Sequence, residues 1–273
     1  MAPSSRKVIY AALAGNCLIA ITKVVAASMT GSSAMLSEAI HSIADTGNEI
    51  LLLYGLRRAE MPADNEFPFG HGKEIYFWSF VVAIILFGCG AGLSMYKGID
   101  HLISPVPVKH SYVNFGVIGL ALIFEGTSWF IALTVFGISK GAWGYIRAVH
   151  RGKDPSIFIV LLEDSAAIIG LVVAFIGILL SHITGSPAYD SAAAVIIGLI
   201  LAGTAILLAS ETKSLLIGES ANKEVVKGIR EIACSSKEIK KVNEVLPCTW
   251  GLTLFSLTSA SILWTRSWRQ RLK

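Results

Sequence analysis

Long apolar runs, each broken by a short polar segment, dominate the first 210 residues. A helix crosses a bilayer with roughly 20 residues. Six runs are long enough: 8–29, 33–56, 75–96, 112–138, 157–183 and 188–210. Only Thr30, Gly31 and Ser32 separate the first two, so these form a helical hairpin. From Glu211 the pattern changes. Charged residues alternate with Val225, Val226, Ile229 and Ile232 at helical spacing, and a short strand is expected around 242–246. The pattern predicts an all-α membrane protein with six transmembrane helices (1–210), followed by the opening of a soluble domain (211–246). No small-residue cleavage site accompanies the first run, so no signal peptide is expected.

Composition supports spans rather than one oversized core. Only 15% of residues are charged and 53% are hydrophobic, with mean hydropathy +0.64; a soluble chain is about 25% charged. This argues against a soluble enzyme, a nucleic-acid binder and a disordered protein. The net charge of +4 is unevenly spread. Arg6, Lys7, Arg57, Arg58, Lys73, Lys140, Arg147, Arg151, Lys153, Lys213, Lys223 and Lys227 fall on one side of the predicted spans, and only Lys97 and Lys109 on the other. Positively charged loops stay in the cytoplasm, which puts both termini there. Cys17, Cys89, Cys234 and Cys248 form no CxxC pair, so neither a disulfide framework nor a thiolate zinc site is indicated.

Ionisable residues inside a span are costly and are functional candidates by default. The second run carries Glu38, His41, Asp45, Asn48 and Glu49; the fifth carries Glu163 and Asp164. His41 and Asp45 are four apart and share a helical face, where an imidazole and a carboxylate can grip one divalent cation. Small residues around both groups (Ala39, Ser42, Ala44, Gly47; Ser165, Ala166, Ala167, Gly170) permit close helix approach. The two runs can thus bring His41, Asp45 and Asp164 together. One neutral imidazole and two carboxylates leave a bound divalent ion electrically neutral. An ionised Glu163 would add a negative charge, so Glu163 ranks below the other three, with Asn48 as a further possible ligand. The competing reading is structural: these groups pair with Lys23 of the first run or lie near a helix end.

Several segments together resemble the cation diffusion facilitator family of divalent-metal/proton antiporters. They are GNCLIAITKVVA with Asn16 and Lys23, SEAIHSIADTGNE, the loop PADNEFPFGHGKE, and LLIGES at the end of the sixth run. FEGTSW and EDSAA are similar to the branch of mitochondrial-type zinc transporters. The resemblance implies efflux of a divalent cation, zinc first, from the cytoplasm by proton antiport through alternating access. It implies no cofactor beyond the transported ion, and a homodimer, here weakened by an incomplete cytoplasmic domain; the expected location is a bacterial plasma membrane. Metal binding displaces protons, so one site can carry either in turn. A histidine among carboxylates suits zinc; an all-oxygen site favours manganese or magnesium. Two departures matter. Aligned on Asp164, the other ligand position of the fifth run is Val160, which cannot bind metal. In the loop, Phe67 replaces an expected histidine, leaving Asp64 and His71 as a weak site. The alternatives are an intramembrane metal enzyme and a non-transporting scaffold. Glu38 and His41 have di-iron Glu-x-x-His spacing, but the chain has no second copy and no HExxH.

After Leu246 the likeness stops. The family continues with a βαββ cytoplasmic domain, so an incomplete α+β domain is expected here. Pro-Cys-Thr-Trp-Gly can be written CCA TGC ACC TGG GGN, and the shifted frame reads Met-His-Leu-Gly, a family-like continuation. Residues 247–273 are therefore expected to be an aberrant, out-of-frame tail. From about Asn222 the chain should be poorly ordered, or at most a marginal helix with an irregular end.

Overall fold

In the bilayer the only partners for a buried backbone are the chain's own, so apolar runs become helices. The structure, a computed structural model, describes residues 3–108, 111–139, 155–218, 223–235, 239–249 and 255–264. The loop cations Lys109, Lys140, Arg147, Arg151 and Lys153 lie outside them. The described runs form α1 (Pro3–Thr30), α2 (Ser33–Ala59), α3 (Glu74–Ile103), α4 (Ser111–Ser139), α5 (Pro155–Thr184) and α6 (Ala188–Ile217). Among the described residues, α3, α5 from Leu161, α6 and the Ser111–Thr134 part of α4 are long and apolar enough to cross a membrane. α1 contributes the shorter apolar stretch Gly15–Thr30. α2 is diluted by Glu38, Asp45 and Glu49.

Polarity is arranged from inside to outside. Leu18, Ile123, Phe130 and Ile206 are exposed, while Lys23, Glu38, His41 and Asn48 are buried. Lipid accepts the first group; the second must find partners within the bundle. α2 packs against α1, α3, α5 and α6, and α4 packs against α1 and α5. This puts the most polar helix at the centre. Gly31, at φ +69°, makes the α1–α2 turn, and the Ser32 hydroxyl accepts the Met35 N–H at 3.0 Å to cap α2. α3 and α6 meet at glycines. A Cβ on Gly98 would lie 2.8 Å from the Val195 nitrogen and 3.0 Å from the Ser191 oxygen. Within α3, Leu86–Gly92 is π-helical.

Two features depart from the sequence reading. Residues 211–217 continue α6 rather than opening a soluble domain; the helix ends at Gly218, whose φ of 112° only glycine adopts readily. Beyond it come α7 (Lys223–Ser235), β1 (Ile239–Thr249) and β2 (Phe255–Trp264). The expected strand is thus longer than 242–246, and a second strand lies where an irregular end was expected. The two pair antiparallel, with Val242 opposite Ile262 and Leu246 opposite Ser259, and α7 packs on β1. β2 carries Phe255, Thr258, Ile262 and Trp264, residue types that strands favour, and each strand gives the other backbone partners.

Candidate metal centre

One helical turn separates His41 from Asp45, and the fold keeps both side chains on the inner face of α2. His41 Nδ1 lies 3.3 Å from Asp45 Oδ1. The imidazole is only 1% exposed, yet neither ring nitrogen has a hydrogen-bond partner. From α5, Glu163 Oε1 accepts the Asn48 amide at 3.0 Å, and Asp164 Oδ2 accepts the Ser128 hydroxyl at 2.9 Å. Asp45, Glu163 and Asp164 line one cavity of about 50 Å3. A single water needs roughly 10–15 Å3, so the cavity can take a partly hydrated ion.

The same cavity is lined by Asn16, Glu49, Glu125 and Ser128. On α2 its wall runs from Ser42 to Leu52, about 15 Å along the axis, toward the end where α1 begins and α2 finishes. Asn16 closes one side by donating to Glu49 at 2.6 Å. Toward the opposite end the helices are joined by buried polar contacts. Lys23 Nζ meets Glu38 Oε2 at 3.1 Å and Glu125 Oε1 at 2.7 Å. The Thr30 hydroxyl donates to Asn114 at 3.0 Å. Asp190 of α6 accepts from the Ser32 hydroxyl and from both the Ser33 N–H and hydroxyl.

The structure therefore brings Asp45, Glu163 and Asp164 to one cavity, with His41 against Asp45 and Asn48 against Glu163. The structural alternative, pairing with Lys23, falls to Glu38 and Glu125 instead. Among the described residues no three His, Cys, Asp or Glu side chains converge closely enough to hold a metal ion. The carboxylates sit on the cavity walls, each steadied by a neighbouring side chain, rather than gathered into a coordination sphere. The side chain of Val160 lies outside the described ones. Sequence reasoning missed Glu125, Ser128 and Asp190. The first two sit in FEGTSW, which is helix-spaced toward α5; the third stands in the first turn of α6.

The loop pair is also joined. Asp64 Oδ2 lies 3.0 Å from His71 Nε2, and Asp64 Oδ1 accepts the Phe67 and Glu66 N–H groups at 2.7 and 2.9 Å. The Phe67 N–H, then the His71 hydrogen bond, hold the Asp64 carboxyl below the usual aspartate range. Phe67 lies against the His71 ring at 4.5 Å between centroids. His71 Nδ1 faces Glu74 at 3.6 Å, and Glu74 is bonded by Arg58 and Trp78. These contacts tie His71 of the PFGHG turn to Asp64 on one side and to Glu74 on the other.

A bundle of apolar helices around a buried, carboxylate-lined cavity defines an integral membrane protein. Residues 9–217 match the family model described as the cation efflux transmembrane domain. The chain belongs to that family of transporters. It is 32% identical over 249 residues to the mitochondrial proton-coupled zinc antiporter SLC30A9 of Mus musculus, covering 90% of this chain and 44% of that protein. It is 30% identical over 220 residues to metal tolerance protein C4 of Arabidopsis thaliana, covering 79% and 48%. Identity to the manganese efflux system protein MneP of Bacillus subtilis is 24% over 250 residues, covering 88% and 78%. The chain thus spans under half the length of the mouse and Arabidopsis relatives.

Proposed function

We propose that this chain carries zinc out of the cytoplasm in exchange for protons, by alternating access through six spans with both termini cytoplasmic. The cavity lined by Asp45, Glu163 and Asp164, with His41 3.3 Å from Asp45, is the observation that supports this reading. It extends toward the end of the bundle that the positive charges assign to the cytoplasm, while buried polar contacts tie the other end. That arrangement suits a state open to the cytoplasm. Cation arrival would draw Asp45 and Asp164 inward and complete a site with His41. Protons would occupy the same carboxylates on return. The likeness to a proton-coupled zinc antiporter supports zinc over manganese.

We read the assembly as a homodimer in a bacterial plasma membrane, and 247–273 as out-of-frame sequence. Cross-linking tests the first, fractionation of the source cell the second, and the gene's DNA the third. A DNA with no family-like shifted frame past codon 247 overturns the last. The transport reading is tested in proteoliposomes with a zinc dye and a pH dye. Zinc entry should drive opposing proton flux, and Asp45→Ala or Asp164→Ala should abolish both, with a smaller loss for Glu163→Gln. Glu163→Gln as inactive as Asp164→Ala would make Glu163 a ligand. Wild-type protein without zinc-driven proton flux would overturn the function.

A further inference from the structure

Among the described residues, Glu125 is the one carboxylate that belongs both to the cavity and to the buried lysine. Its Oε1 holds Lys23 Nζ at 2.7 Å. Its Oε2 is buried and has no hydrogen-bond partner. The residue lines the same cavity as Asp45 and Asp164, and three residues on, Ser128 donates to Asp164. α4 therefore points two consecutive turns of polar side chains at the cation path. A buried carboxylate oxygen without a donor is expensive unless something positive takes its second position. Nearby, the fully buried His41 ring has the same unmet need. An unpartnered carboxylate oxygen on a residue that lines the cavity, beside Asp45 and Asp164, points to a cation as its partner.

We propose that Glu125 is a cargo ligand, supplied by α4 in place of the one that Val160 cannot provide, and that Lys23 is its tethered competitor. This rests on the reading of the chain as a divalent-cation carrier. In the empty site the Lys23 ammonium neutralises Glu125 from the side away from the cavity. When a divalent ion enters, Glu125 turns its free oxygen to the ion and loosens its hold on α1. Charge favours Glu125 over Glu163 for this role. Glu163 has a neutral amide beside it, whereas Glu125 has an ammonium. Asp45, Asp164, Glu125, Lys23 and a divalent ion sum to zero. Counting Glu38 leaves one negative charge, against two for the same set without Lys23. Glu38 holds the same lysine, but it does not line the cavity.

The contrast between the two lysine partners makes the test. The full chain in nanodiscs is titrated with Zn2+ by calorimetry, as wild type, Glu125→Gln and Glu38→Gln. The glutamine amide can still accept a bond from Lys23, so folding is kept and only the negative ligand is lost. Thermal melting of each variant confirms this. Glu125→Gln should weaken Zn2+ binding by about tenfold or more, the loss that comes with removing a supporting metal contact, while Glu38→Gln changes it less than about threefold. Equal losses in the two variants would reduce Glu125 to a partner of Lys23 and overturn the proposal. Wild-type binding that Glu125→Gln leaves intact overturns this proposal alone. Wild-type protein with no saturable Zn2+ binding overturns the carrier reading and this proposal with it. Should Glu125→Gln not fold, Glu125→Asp gives the same decision. A shortened carboxylate should also weaken Zn2+ binding, and unchanged affinity refutes the ligand role.

Discussion

Replacing Asp190 with alanine should cost more than any other single truncation at the end of the bundle away from the cavity mouth. Asp190 is 2% exposed and takes three hydrogen bonds: 2.5 Å from the Ser32 hydroxyl, 2.6 Å from the Ser33 N–H and 2.8 Å from the Ser33 hydroxyl. Hydrogen bonds to a charged group contribute about 1.5–3 kcal/mol each. They do not add fully, because the two hydroxyls can rotate to other acceptors. The Ser33 N–H cannot; it is fixed in the first turn of α2. Leaving a buried donor unmet costs about 1–3 kcal/mol, so the fixed N–H and the two partly relaxing hydroxyls together cost about 3–5 kcal/mol. At about 2–4 °C per kcal/mol for a chain of this size, the melting temperature should fall by about 10 °C. Thermal unfolding of purified protein in detergent, followed by tryptophan fluorescence, measures it. Asp190→Asn keeps one carbonyl acceptor and should lose about half as much. An alanine variant that melts within about 2 °C of wild type would show that Asp190 does not tie α6 to the α1–α2 turn.

Three further outcomes are expected. His41→Asp makes the α2 pair all oxygen and should shift competitive uptake from zinc toward manganese; unchanged zinc preference would count against His41 as a ligand. Gly98→Ala drives a methyl into the Val195 and Ser191 backbone, which cannot yield as a side chain can. It should cost about 1–3 kcal/mol, read in the same melting assay. The Asp64 turn should depend on acid: its carboxyl is held low by the Phe67 N–H and His71. Its stabilisation is then present above the unfolded aspartate pKa and lost as pH falls through the lower folded value. Protection of the Glu66 and Phe67 amides, taken relative to their intrinsic exchange rates, should fall only below the ordinary aspartate range; loss of protection at mildly acidic pH would refute this.

The helices and the His41–Asp45 pair were legible because each depends on periodicity within one segment. The apolar stretches begin and end close to α2 and α5 as observed. What escaped was whatever depends on a neighbour. Asp190 reads as a first-turn residue at the start of α6, and only the fold brings the Ser32–Ser33 turn to it. Glu125 reads as part of a branch-specific string, because Lys23 lies a hundred residues earlier. Gly88, Gly90 and Gly92 lie in an apolar run and give no sign of an altered helical repeat. The extension of α6 through Glu211 is not legible from charge, which marks the exit from lipid and not the end of a helix.

The π-helical segment Leu86–Gly92 bears on how this chain tolerates a change of length. Such a segment holds an extra residue in the axial distance an α-helix would span. The flanks on either side are each locked in place: Val82 and Ala83 are buried before it, and Ser94 and Gly98 after it. Removing one residue from an ordinary stretch of α3 would turn those two flanks about 100° apart and unseat one of them. Removing one glycine from 86–92 would instead relax the segment to a regular helix and leave both flanks in phase. The helix thus carries a slack residue, and a one-residue deletion that would unseat α3 elsewhere should leave its packing intact there.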